Sequence, residues 1–579
     1  MVWEYKEIDN YSIENIARTC GLSSNVVKLL IKRGIDTIEK IKDFMDPNIS
    51  KMRDPFKFEQ MEEAITLILE KREANEKVVI YGDYDVDGIT AAAFMTIALR
   101  NIGVNTEYYI PNRLQEGYGL NKKAIDIIKK RNGKLIITVD VGINSKDEIK
   151  YAKEQGISII VTDHHKMLSE PEEDLIMINP KVTKSYEFNA LAGAGVALKL
   201  AEAIYKKLNI SLSELYKYLD IVMLGTVADV VPMVDENRII IKKGLEKLKN
   251  SEIKGISYLL KYLKINKSSI DTTDVSFFIA PMLNALGRTG DSTIGVDFFI
   301  ENDEFVIYNI IEEMKKANKK RRNLERLIFN EIIEKIQGKV ENMEYIFLKS
   351  DRWHPGVIGV VSARLALKYN IPVLLVSLTG KMGKASCRSV EGINIFDILK
   401  SMSERFVRFG GHDLAAGFVA KEEELKFIEE SISKLLPEKL NNKFEADIEV
   451  DLKIEPKDIT DEFMEDIKNL APFGIKNSQP LFYAEKVYFT NIKKFGVDNR
   501  HFKMYLCKEN EYYPAVGFNL SHKLDKVESQ AELFDIIYYP EKVEIRGEEI
   551  IQLKIKDFKK NEELENIFNN YNEEEENGI

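Results

Sequence analysis

Asp83, Asp85 and Asp87 stand at alternate positions of Gly82-Asp83-Tyr84-Asp85-Val86-Asp87-Gly88. The apolar run Val78-Val79-Ile80-Tyr81 just before them reads as a buried strand, and Ile89 to Leu99 just after them reads as a helix. The aspartates therefore sit on a strand-to-helix turn, and in an open α/β sheet such turns line the carboxyl edge where ligands bind. Carboxylates packed this closely repel one another unless cations lie between them. The turn is either a divalent-metal site or an acidic loop whose glycines merely permit its backbone. The residues downstream favour the metal site.

At 579 residues the chain predicts three or four domains. It has no apolar run of about 18 residues, and MVWEYKEIDN lacks the basic-then-apolar order of a leader, so a cytoplasmic protein without a membrane partner is expected. Cys20, Cys387 and Cys507 are far apart and show no CxxC spacing, which leaves neither a disulfide framework nor a thiolate metal site. A net charge of −11 argues weakly against nucleic acid, but an acidic total hides local basic surfaces, and Glu573 to Glu576 inflate it.

Residues 1–54 read as a helical lead-in. From Lys77 the pattern alternates: KVVIYG, ITAAAFMTIALR, TEYYI, KKAIDIIKK, KLIITV, KDEIKYAKEQ, SIIVT, LIMIN. This predicts right-handed βαβ units on a largely parallel sheet. KLIITV runs into Asp140 and SIIVT into Asp163-His164-His165, so three strand ends of one sheet deliver metal-type side chains. Beyond Asn179 the pattern is helical. Asp229 ends an apolar helix beside Val227, Ala228, Val230 and Val231, and is either a metal ligand or a carboxylate in the turn before Pro232.

One long helix is expected over 303–340, joining domains and carrying the basic run Lys315 to Arg322, which either contacts phosphates or is a solvated face. A second, smaller α/β domain follows over 341–440, where glycines beside Ser386, Arg388 and His412 would let a phosphodiester approach the backbone. Short strands over 441–560 predict a barrel of the oligonucleotide-binding type. There Tyr488, Phe489, Phe502, Tyr505, Tyr512 and Tyr513 are either stacking platforms or core. Residues 561–579 read as an acidic tail, and 55–302 as the catalytic domain.

Asp83, Asp85, Asp87, Asp140, Asp163, His164, His165 and Asp229 form a set rich in carboxylate, supplemented by imidazole and free of cysteine. Such donors suit Mn²⁺ or Mg²⁺, and the set is large enough for two ions. Two adjacent ions are a standard means of phosphodiester hydrolysis.

These residues closely resemble the DHH phosphoesterase superfamily, whose motif stands here as Asp163-His164-His165. GDYDVDGIT, PNRLQEGYGL, TVDVGI, LAGAGVA, GTVADVVP, LNALGR, HPGVIGVVSARL, Gly410 to His412 and APFGIKNSQPLF extend the likeness over about residues 55–560, to the superfamily's single-strand-specific 5′-exonucleases. The resemblance implies that Asp85 and Asp87 each bind one of two Mn²⁺ or Mg²⁺ ions, that Asp140 bridges them, and that His164 and Asp229 complete the ligands. It implies that His165 contacts the scissile phosphate, and that Asp83 and Asp163 support the ligands, Asp163 by orienting a histidine. Many relatives place a histidine four residues before the first ligand aspartate, where this chain has Tyr81, and Asp83 is the candidate substitute. Arg113, Arg288, Ser386 and Arg388, with His412 nearby, match positions for the 5′-phosphate and backbone, although any arginine alone also reads as a surface ion pair.

The implied function is 5′ to 3′ degradation of single-stranded DNA to mononucleotides in recombination and repair. The implied partners are single-stranded DNA, a single-strand-binding protein and a RecQ-type helicase, with the chain a monomer. Two other readings are a DHH hydrolase of oligoribonucleotides or cyclic dinucleotides, against which the barrel and long helix speak, and a catalytically silent replication-assembly relative, which should lack ligands present here.

Overall fold

In the computed structural model of the chain, the apolar run ahead of the aspartates is strand β1 (Lys77–Gly82), buried from its second residue onward. Described are residues 3–4, 13–113, 116–117, 119–168, 170–171, 174–340, 343–440, 448–524, 532–545 and 547–561. Residues 562–579 of the acidic tail lie outside them. The chain divides into two units, Asn48–Phe444 and Met1–Pro47 with Glu445–Ile579.

In the larger unit β1 leads into helix α1 (Val86–Asn101), then β2 (Thr106–Tyr109), α2 (Lys122–Lys130), β3 (Gly133–Val139), α3 (Lys146–Glu154), β4 (Ser158–Thr162) and β5 (Ile176–Ile178). All strand pairs are parallel, in the order β2-β1-β3-β4-β5. That order reverses between β1 and β3, and the crevice outside such a reversal is where ligands bind in doubly wound sheets. The three aspartates follow β1, and Asp140 follows β3. Sequence order alone thus sets one acidic turn beside another.

Helix α1 is buried on every side, consistent with its nearly continuous run of Ala, Ile, Phe and Met. It packs against α4 (Gly193–Lys207) and α5 (Leu219–Ala228), which form the layer over the site, and α6 (Asp235–Leu248) packs behind α5. After α7 (Ala280–Thr289) comes the long helix α8 (Glu304–Ile336), 33 residues in one piece. Its first half gives Ile307, Ile310, Ile311, Met314 and Ala317 to the catalytic core. Its second half gives Ile328, Phe329, Ile332 and Ile336 to a separate core with Ile346, Val361 and Val373. Each such Ile, Met or Phe side chain contributes about 1.5–3 kcal/mol on burial, so the helix is held at both ends. In its basic run Lys315 pairs with Glu312 and Lys316 with Glu313 on a solvated face, whereas Arg321, paired with Glu325, is largely buried.

The second α/β element contains β6 (Ile346–Ser350), α9 (Ile358–Tyr369), β7 (Val373–Thr379), β8 (Met382–Arg388), β9 (Arg408–His412), β10 (Ala415–Lys421) and α10 (Leu425–Leu440). Its sheet runs β9-β10-β8-β7-β6, with only β6 and β7 parallel.

In the smaller unit β11 (Phe482–Phe495), β12 (His501–Lys508), β13 (Glu511–Gly517), β14 (Leu533–Ile545) and β15 (Glu548–Lys560) close into a barrel, because β11 pairs with both β12 and β14. The β13–β15 pair is parallel, as in barrels of the oligonucleotide-binding type. Val26, Leu29, Leu30, Ile41 and Phe44 from the N-terminal helices share one core with Phe482, Phe489 and Phe502. Helical periodicity marks a buried face without naming its partner, so this attachment was not visible in the lead-in's sequence.

Candidate metal centre and phosphate pocket

Among the described residues, three groupings of side chains place ligand atoms within 4.8 Å of one another: Asp83, Asp85 and Asp140; Asp87, His164 and Asp229; and Asp140, His164 and His165. The turn that carries the first of them depends on glycine. A Cβ at residue 88 would lie 2.5 Å from the backbone of Asp83, and one at residue 193 would lie 2.4 Å from Cβ of Asp140. Asp140 itself adopts φ +62, a left-handed conformation that costs a non-glycine residue energy and recurs at functional sites. Asp87 accepts the backbone N–H groups of Gly193 and Ala194 at 2.6 and 2.9 Å, from the first turn of α4. The start of that helix therefore fixes its carboxylate from above.

His164 Nε2 lies 3.1 Å from Asp140, 3.5 Å from Asp229 and 3.9 Å from Asp87. Burial first, and then His165, depress its basicity to a pKa of about 3, so the imidazole is neutral and presents a lone pair to the carboxylates. Burial followed by the charge of neighbouring aspartates pushes Asp83, Asp140 and Asp229 well above the carboxylate range, and Asp87 up to about 7. Asp83 Oδ1, Asp140 Oδ1 and His164 Nε2 are buried without a hydrogen-bond partner. Unpartnered acceptors of this kind, converging from three strand ends, are what hard divalent cations satisfy, and the residues present fit them.

Asp163 does not join these groupings. Its Oδ1 accepts from the His164 and His165 backbone N–H groups and lies 2.8 Å from His165 Nδ1, while Oδ2 accepts from Ile143 at 3.0 Å. Although burial acts to raise its pKa, His165 and these donors hold it below the usual range. In turn His165, against the effect of burial, is raised to about 9 by Asp163, and so is a cation at neutral pH. The His412 ring lies parallel to it, with centroids 6.3 Å apart. Tyr81 points elsewhere: its hydroxyl donates to Gly119 O at 3.0 Å and accepts from Asn121, anchoring the loop after β2.

Beside the acidic cluster lies a cationic one. Arg113 stacks 4.8 Å above the Tyr84 ring. Arg288 is drawn down to a pKa of about 10 by burial and then by Arg113, Arg321 and Arg388. Arg388 donates to Ser386 Oγ at 3.4 Å, and a Cβ at residue 359, at the start of α9, would lie 3.0 Å from the same Oγ. A Cβ at residue 287 would lie 2.4 Å from Tyr84 O, so α7 carries Arg288 right up to the aspartate turn. Crowded arginines, a hydroxyl and a helix N-terminus describe a polyanion pocket. Arg321 and Lys384 complete this cluster and were not singled out in the sequence. Arg321 was hidden in a basic run, and Lys384 is one lysine among many until β8 places it near Arg113. Lys181, also missed, is close enough to Asp229 and Asp163 to feel both.

Comparison with known proteins agrees with this geometry. A doubly wound sheet bearing this cluster defines a DHH-type domain, and the model of the DHH family N-terminal domain matches residues 77–226, with the DHHA1 domain at 342–438 and the RecJ OB domain at 450–557. The chain is 34% identical over 523 residues to the single-stranded-DNA-specific exonuclease RecJ of Bacillus subtilis, covering 90% of this chain and 66% of that protein. It is 30% identical over 539 residues to RecJ of Haemophilus influenzae, covering 88% and 92%. The chain belongs to the RecJ family. The crystal structure of RecJ from Thermus thermophilus in complex with Mn²⁺ shares its fold, with a TM-score of 0.82 at 22% identity over 97% of this chain and 80% of that one. An exonuclease RecJ bound to manganese superposes with a TM-score of 0.59 at 28% identity, over 67% and 96%.

Proposed function

We propose that this chain is a single-stranded-DNA-specific exonuclease that hydrolyses phosphodiester bonds from the 5′ end and releases 5′-mononucleotides, with two Mn²⁺ or Mg²⁺ ions. The observation that carries the reading is the adjacency of two opposite clusters on one turn, with Arg288 beside Tyr84 and the carboxylates of Asp83, Asp85 and Asp87 flanking it. A strand whose terminal phosphate rests on Arg113, Arg288, Ser386 and Arg388 offers its next phosphodiester to the carboxylates. Cleavage then occurs one nucleotide from the end.

Asp85, Asp87, Asp140, His164 and Asp229 would hold the ions, with Asp83 beside them. When bound, the ions supply Lewis-acid activation of water and stabilisation of the leaving oxygen. His165, kept cationic and oriented by Asp163, donates a hydrogen bond to a non-bridging phosphate oxygen, and His412 flanks it. In the barrel, Tyr488, Tyr505 and Tyr512 share the outer face of β11, β12 and β13, where bases of the strand stack on them. Phe489 and Phe502 are fully buried and belong to the core. A small-substrate hydrolase has no use for that face. A single-strand-binding protein and a RecQ-type helicase are the protein partners proposed, and the acting species is the monomer.

The test is Mn²⁺-dependent release of mononucleotides from linear 5′-phosphorylated single strands, followed chromatographically. Equal degradation of circular strands, or activity confined to dinucleotides, would overturn the assignment.

A further inference from the structure

Asn237 is fully buried at the third position of α6. Its Nδ2 donates to Ala190 O at 2.6 Å and to Pro232 O at 3.1 Å. Its Oδ1 has no hydrogen-bond partner. The amide thus leaves one buried acceptor unsatisfied while it presents both donors to two loops.

Both loops end in the metal centre. Ala190 leads into Gly193 and Ala194, whose N–H groups grip Asp87. Pro232 closes the turn from Asp229, and within that turn Val230 adopts φ +59 while 61% exposed. A β-branched residue in the left-handed region is strained and persists only where its surroundings hold it. The holding bond must itself be anchored. Glu236, next to Asn237, bonds Lys199 at 2.8 Å and the Arg53 backbone at 2.9 Å, and accepts from the Tyr186 hydroxyl, all around a fully buried carboxylate.

We infer that Asn237 is a positioning residue that ties the Asp87 cradle to the strained Asp229 turn and so sets the spacing of the Asp87 and Asp229 carboxylates about His164. The inference rests on the metal reading of that centre. Removing the amide frees both loops while leaving every ligand in place, so metal affinity falls while DNA contacts persist.

The experiment is calorimetric titration of Mn²⁺ into the metal-free full-length chain, for wild type, Asn237→Ala and Val230→Gly/Asn237→Ala, with melting curves alongside. Asn237→Ala should bind Mn²⁺ about 10- to 100-fold more weakly, as is usual for lost outer partners of metal ligands, with KM for single-stranded DNA unchanged at saturating Mn²⁺. Glycine at residue 230 accepts the left-handed conformation without strain, so the double variant should recover part of that affinity although it restores no ligand. A folded Asn237→Ala that binds Mn²⁺ like wild type, or loss of the fold in both variants, would overturn the proposal. A weakening that Val230→Gly leaves untouched would overturn its strained-turn half. A wild-type chain that bound no Mn²⁺ would overturn the metal reading instead, so the two failures are told apart.

Discussion

Asp163 Oδ1 lies 2.8 Å from His165 Nδ1 and accepts two backbone N–H groups besides, so one carboxylate fixes both the ring and the chain that carries it. Substitution Asp163→Asn would turn an amide donor toward N–H groups on one side or the other. The expected result is a drop in kcat of about 10- to 100-fold with little change in KM, the usual scale for lost orienting partners. Steady-state kinetics at saturating Mn²⁺ checks this, and an unchanged kcat would remove the orienting role.

Asp140 is buried among carboxylates that raise its pKa, after burial itself, which means that its charge opposes folding while no cation is bound. Asp140→Ala should therefore abolish hydrolysis while leaving the melting temperature of the metal-free protein equal or higher. A variant keeping more than about a tenth of the wild-type rate, a loss below about 1.4 kcal/mol in barrier, would contradict its proposed role as a metal ligand.

Arg388 supplies one edge of the cationic pocket through a guanidinium aligned by Cys387 O and Ser386 Oγ. Loss of a charge-assisted contact costs about 1.5–3 kcal/mol, so Arg388→Ala should slow degradation of 5′-phosphorylated strands by about 10- to 150-fold. Strands ending in a 5′-hydroxyl should be affected far less. Equal losses on both substrates, measured in parallel, would make it a general backbone contact.

What was legible in the sequence follows a physical line. Asp83, Asp85, Asp87, Asp140 and His164 all lie just beyond the end of a short apolar strand, and parallel strands bring their carboxyl ends together whatever the intervening loops do. Asp229 was ambiguous because a helix-ending aspartate also suits a turn; its 3.5 Å approach to His164 comes only from the packing of α5 over the sheet. Asn237 was illegible for a stronger reason, since an asparagine in the first turn of a helix reads as ordinary end chemistry and its two acceptors lie on remote loops. The barrel's aromatics divide by strand alternation, which depends on register: Phe489 faces in where Tyr488 faces out.

Asp220 offers a test of buried charge remote from the cationic pocket. Burial, partly offset by Ser251 and the Ile221 N–H, raises its pKa from 3.8 to about 6. The folded carboxyl stays protonated while its unfolded counterpart ionises, so folding loses stability as pH rises from about 4 to about 6 and the loss is complete above that. Two pKa units correspond to about 3 kcal/mol at most. Asp220→Asn, which still accepts from Ile221, should flatten that portion of the stability profile in urea titrations at successive pH values. A parallel downward slope in both proteins would show that another group is responsible.

The barrel's role is best tested on its surface. Removing residues 444–579 would strip Val26, Leu29 and Phe44 of the core they share with Phe482 and Phe489, exposing apolar surface on the N-terminal helices that remain. Tyr505 and Tyr512 are 43% and 63% exposed on neighbouring strands, and Tyr488 is 38% exposed and in register with Cys507 between them. Base stacking on such rings is worth about 1–3 kcal/mol per base, so Tyr505→Ala/Tyr512→Ala should weaken binding of long single strands by at least about tenfold. Hydrolysis of a dinucleotide should be unchanged, and the melting temperature should hold because neither ring is core. As a contrast, Phe489→Ala should cost about 3–5 kcal/mol of stability. If the double variant binds and degrades long strands as the unmodified chain does, the outer face is not the strand's path, and weight returns to a small-substrate reading of the same metal centre.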